Sequence, residues 1–79
     1  MADMKKRTVV LTREPVALFK VLKFENLAAS GGEAKHFIDQ GRVRVNGLVE
    51  TRKHRKIRAG DEIAFDGMLL CMVSAMPQI

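Results

Sequence analysis

Tryptophan and tyrosine are absent from this chain, and its aromatic content is four phenylalanines. Recognition of single strands by stacking bases on a row of flat side chains is therefore disfavoured. A single cysteine, Cys71, excludes an internal disulfide, and two histidines far apart cannot build a metal site alone. No apolar run approaches the roughly 18–20 residues that cross a bilayer. The first seven residues are basic, yet no apolar h-region follows them, so no export signal is expected. Together these absences point to a reducing cytoplasm, without a membrane anchor or a disulfide framework.

What remains is a globular balance, with 47% hydrophobic and 29% charged residues. A length of 79 residues gives a single domain with a small core, burying about 60–65% of the unfolded surface. The net charge is +5, and its placement says more than its size. Between positions 42 and 58 lie Arg42, Arg44, Arg52, Lys53, Arg55, Lys56 and Arg58, opposed only by Glu50. That segment carries a net +6, and the rest of the chain −1. Concentration of the whole excess in one segment points to a polyanionic partner rather than to solubility alone.

The pattern of residue types gives an α+β domain, two short helices packed on a small antiparallel sheet. Residues 8–12 are rich in β-branched side chains and predict a strand. Thr12 can cap a first helix, with Glu14 and Pro15 in its first turn and its end near Phe24. Ser30-Gly31-Gly32-Glu33 fits a capping box for a second helix, on which Ala34, Phe37 and Ile38 form the apolar stripe. Gly41 ends that helix. Arg42-Val43-Arg44-Val45 alternates charge with branched aliphatics, and Asn46-Gly47 predicts a tight hairpin turn leading to Leu48 and Val49. A turn at Ala59-Gly60-Asp61 precedes a second hairpin around Asp66-Gly67, and residues 76–79 read as a frayed tail.

Catalytic chemistry is not expected. Glu33, Asp61 and Asp66 are explained by a cap and two turns. His36 falls on an outer helix face, His54 lies in the basic loop, and Cys71 sits among apolar residues of a closing strand. No phosphate-loop, dinucleotide or nucleophile-elbow motif occurs, and no catalytic or metal-ligating residue is assigned. Anion binding has two candidate elements. One is the Ser30-Gly31-Gly32 entry to a helix N-terminus, with Lys35 one turn in. The other is the basic segment from Arg42 to Arg58.

Leu18, Leu22-Lys23, Leu27-Ala28, Ser30-Gly31-Gly32-Glu33-Ala34-Lys35, Ile38, Gly41, Val43 and Val45-Asn46-Gly47 stand in a characteristic order. With Val49-Glu50-Thr51-Arg52-Lys53 and Lys56-Ile57-Arg58-Ala59-Gly60-Asp61, they resemble an S4 RNA-binding domain over residues 15–65. The form is similar to that of small stand-alone bacterial S4 proteins. The resemblance implies the αL RNA-binding motif, an L-shaped surface for structured RNA, often ribosomal RNA. It implies a place in translation, with rRNA or tRNA as partner, ribosome association, and neither cofactor nor metal.

Carried over, it assigns RNA contact to Lys23, Ser30, Gly31, Gly32 and Lys35. Around the hairpin it adds Arg42, Arg44, Arg52, Lys53, Arg55, Lys56 and Arg58. Many S4 domains carry arginines at the places held here by Ala17 and Gly31, which shifts weight to Arg52, Lys53, Arg55 and Lys56. These four are expected to be exposed, and the four phenylalanines to be core. An alternative of another class is an adaptor, docking its basic face onto an acidic protein of the translation machinery.

Overall fold

The computed structural model describes residues 5–75; the expected frayed tail at 76–79 lies outside them. Among these residues seven strands and two helices follow in the order β1 (Lys5–Leu11), β2 (Val16–Ala17), α1 (Leu18–Phe24), α2 (Gly31–Asp39), β3 (Arg44–Val45), β4 (Leu48–Val49), β5 (Lys56–Ile57), β6 (Glu62–Phe65) and β7 (Met68–Ser74). Five strands form one sheet in the order β1-β7-β6-β3-β4, and β2 pairs with β5 in a second, two-stranded sheet. The α+β class holds. The main sheet is mixed rather than wholly antiparallel, because β1 runs parallel to β7. Parallel neighbours need a crossover between them, and here both helices and five strands supply it.

Both two-residue turns form as their sequences dictate. Asn46 and Gly47 have φ of 52° and 85°, the left-handed pair that matches strand twist, and Asp66-Gly67 repeats the device. The second helix is also as expected. The Ser30 hydroxyl accepts from the Glu33 amide at 3.1 Å, and the Glu33 carboxylate accepts from the Ala29 amide at 2.9 Å, one residue ahead of the cap. At the other end Gly41 (φ 74°) turns the chain. Its amide reaches the Ile38 carbonyl, and the Arg42 amide reaches the Phe37 carbonyl.

The first helix starts later than its sequence suggests. Thr12 does not cap it; Val16 and Ala17 are extended, paired with Ile57 and Lys56. Ala17 is the N-cap and offers no side-chain bond. Instead the Leu18 amide donates to the Arg55 carbonyl at 2.9 Å and the Phe19 amide to the Lys53 carbonyl at 3.2 Å. A distant loop thus satisfies orphan donors that a local cap would otherwise take.

Leu18, Leu22, Ile38, Val43, Ile57, Ile63 and Leu70 are fully buried between the helices and one face of the sheet. The phenylalanines divide differently from expectation. Phe65 is buried, Phe37 is half-buried against it at 5.0 Å, Phe19 is half-buried, and Phe24 is 64% exposed. Cys71 is half-buried rather than core, with Sγ 3.7 Å from Glu62 Oε2. Period-two alternation assigns it to the sheet face opposite buried Leu70 and Met72.

Candidate nucleic-acid interface

The half-buried ring of Phe19 organises one surface. A β-carbon added at Gly31 would stand 3.5 Å from it, so the entry to α2 lies against this ring. Lys35 Nζ sits 4.5 Å from the ring centroid, a cation–π contact that fixes the ammonium beside that entry. The His54 ring meets Phe19 edge-on at 5.1 Å. Lys23, exposed one turn further along α1, shares the Phe19 face by helical spacing. Gly31 and Gly32 begin α2, where backbone amides lack helical partners and the dipole favours an anion. Ser30 and Glu33 are already committed to capping.

Beside this surface, residues 52–56 line an open depression. Its shape is set from within by Glu50, which is buried. Glu50 Oε2 accepts from the Arg52 amide and from Arg52 Nε, both at 3.0 Å. Glu50 Oε1 accepts from Arg52 Nη2 at 3.0 Å and from Arg55 Nη1 at 2.8 Å. Hydrogen bonds from Arg52, then from Arg55, outweigh burial and hold the Glu50 carboxyl down at about 2. The expectation that all four basic residues are exposed is therefore corrected. Arg52 and Lys56 are exposed, but Lys53 and Arg55 are half-buried, because their backbone carbonyls cap α1 and Arg55 closes on Glu50.

The remaining basic residues lie elsewhere. Arg42 stacks over Phe37 and Phe65, 4.7 and 5.3 Å from the two centroids. Arg44 Nη1 donates to the Gly47 carbonyl at 3.4 Å. Both border a separate shallow depression on the sheet. Arg58 is exposed at a turn whose amide donates to Asp61 Oδ2. Burial alone would raise the Asp61 carboxyl, but this amide and the Asn46 side chain hold it below its ordinary value. Asn46 does more than turn the hairpin: its amide group donates to Asp61 Oδ1 and accepts from the Glu62 amide.

So the +6 segment divides into three groups, of which Arg52–Lys56 adjoins the α2 entry. Sequence reasoning missed Phe19 as the organiser; its one signal was its place beside buried Leu18. Among the described residues no three His, Cys, Asp or Glu side chains are gathered to hold a metal. None of the described helices is long and apolar enough to cross a membrane.

Comparison with known proteins assigns the class. Residues 9–71 match the S4 domain family, and the chain belongs to it. It is 46% identical over 61 residues to "Putative RNA-binding protein YbcJ" of Escherichia coli strain K12, covering 76% of this chain and 87% of that one. It is 32% identical over 59 residues to "Probable ribosome maturation protein RlbA" of Bacillus subtilis strain 168, covering 75% and 83%. The fold is similar to the solution structure of E. coli YbcJ, described as revealing an αL motif involved in RNA binding. The TM-score is 0.62 and the identity 38%, over 92% of this chain and 91% of the other.

Proposed function

We propose that this protein is a non-enzymatic, cytoplasmic RNA-binding module that recognises structured ribosomal RNA through phosphate and shape contacts. The observation that carries the reading is the convergence on Phe19 of the α2 entry, Lys35, His54 and the carbonyls of the basic loop. It creates a preorganised positive surface with few free rotamers, suited to a folded polyanion. Lys23, Gly31, Gly32 and Lys35 would meet the backbone on one side, with Ser30 shaping the entry. Arg52, Lys53, Arg55 and Lys56 would meet it on the other, and Arg42, Arg44 and Arg58 would flank it. Membership of the S4 family and the name of YbcJ support RNA as the ligand. The name of RlbA supports ribosomal RNA and a place in ribosome assembly.

The test is a titration of the protein with a folded ribosomal RNA fragment and with a single strand of equal length. Tighter binding of the folded fragment, weakened by salt, is expected. Equal affinity for the two, or preference for the single strand, would sink the proposal.

A further inference from the structure

A second surface lies on the other flank of α1, and it is apolar. A groove of about 500 Å³ runs between β1 and the β2–α1 segment. Val10 and Leu11 line it from the strand, and Pro15, Val16, Val21 and Phe24 from the other side. Phe24 and Val10 are 64% and 58% exposed, although both are large apolar side chains. At one end Arg7 Nη1 donates to the Glu25 carbonyl at 2.9 Å and pairs with Glu25 Oε1 at 3.2 Å, which neutralises the only carboxylate that lines the groove among the described residues. Arg13 and Lys20 remain on its rim as cations.

The strand beside this groove is an edge. On one side β1 pairs with β7, and among the described residues no strand lies on the other. The Lys5 amide donates to the Gly67 carbonyl and the Leu11 carbonyl accepts from the Ala75 amide. Alternation in a parallel ladder therefore directs the amides and carbonyls of Lys6, Thr8 and Val10 outward. Natural edges are blunted by charge, proline or short length. Here lysines guard the start of β1, while Thr8 to Leu11 carries no charge and no proline.

We propose that this groove and edge form a docking site for an extended, apolar protein segment that ends in acidic residues and adds as a strand to β1. Only a polypeptide backbone completes a strand ladder, so a nucleic acid does not fit. Every second side chain would face the groove, apolar ones beside Phe24 and terminal carboxylates at Arg13 and Lys20. A second copy of this chain is disfavoured by charge, since pairing two β1 edges brings Lys5, Lys6, Arg13 and Lys20 of both chains together. The site lies on a different flank from Phe19, Gly31 and Lys35, so it is independent of RNA recognition.

The experiment titrates the ¹⁵N-labelled protein with a short capped peptide of valine and threonine ending in two glutamates, following amide shifts and hydrogen exchange. The Thr8 and Val10 amides should shift and gain protection. Val10→Glu and Phe24→Ser should each weaken binding by about tenfold, with RNA affinity and melting temperature retained. The same peptide with lysine for glutamate, or N-methylated at alternate positions to block the ladder, should not bind. Equal binding of either control peptide, shifts confined to other strands, displacement of the peptide by RNA, or β1 shifts that follow protein concentration without peptide would each overturn the proposal. Should Phe24→Ser fail to fold, Val10→Glu and the N-methylated peptide decide the matter alone.

Discussion

Glu50 and Arg55 meet at 2.8 Å, with the carboxylate buried and the guanidinium half-exposed. The one acidic residue of the basic segment is thus its internal brace. Glu50→Gln keeps the shape but loses charge-assisted bonds, and should destabilise the fold by about 1–3 kcal/mol.

The same pair sets a pH dependence. Folding lowers the Glu50 carboxyl from 4.5 to about 2, so its contribution is full above the unfolded value. That contribution is lost as pH falls from 4.5 toward 2. Chemical denaturation over that range should show steeper acid loss for the native protein than for Glu50→Gln. Parallel profiles would mean that the carboxylate is not held by the arginines.

The basic loop should separate into two kinds of side chain. Lys53→Gln with Lys56→Gln should change stability by no more than about 0.5 kcal/mol, and should lessen the slope of log K against log salt by about two. Arg52→Gln with Arg55→Gln leaves the buried Glu50 carboxylate short of donors. It should cost about 1–3 kcal/mol of stability besides weakening RNA binding. If both pairs prove equally harmless to stability, Glu50 is not the brace.

Local chemistry explains why so much of the fold was legible. Asn46-Gly47, Asp66-Gly67, the Ser30–Glu33 box and Gly41 each answer to a conformational need within a few residues. Apart from Cys71, whose face period-two alternation marks, the main failures are long-range. Thr12 lost its role because the carbonyls of Lys53 and Arg55 serve the amides of Phe19 and Leu18. The parallel pairing of Lys5 with Met68 joins the two ends of the described chain, which no local signal marks. In the site, charge counting found the basic segment but not its division, since Arg42 turns to Phe37 and Phe65 while Arg55 turns to Glu50.

Burial ranks two core substitutions that spacing alone treats alike. Ile38 is fully buried and Ile38→Ala should cost about 2–5 kcal/mol. Phe37 is only half-buried, so Phe37→Ala should cost less than full burial of the ring would imply. Urea midpoints compare the two, and the reverse order would contradict the packing described.

Ser30→Ala removes the hydroxyl that accepts from the Glu33 amide at 3.1 Å. A loss of about 0.5–2 kcal/mol is expected for such a cap. RNA affinity should fall only as far as α2 frays, and conditions that restore helicity should restore it. A large affinity loss with helicity intact in circular dichroism would instead make the hydroxyl a direct RNA contact.

Gly31→Arg tests the α2 entry most sharply. Gly31 is the first residue of the helix, its φ is not positive, and its β-carbon would find ordinary contact with Phe19 at 3.5 Å. The backbone therefore accepts a side chain, and helix propensity favours arginine over glycine by up to about 1 kcal/mol. Stability should hold or rise slightly. The added guanidinium would stand beside the Phe19 ring, near Lys35, where it can donate to a phosphate. RNA binding should tighten, and the gain should shrink as salt rises. Unchanged stability with unchanged or weaker binding would remove the α2 entry from the RNA surface and leave the Arg52–Lys56 loop to carry recognition.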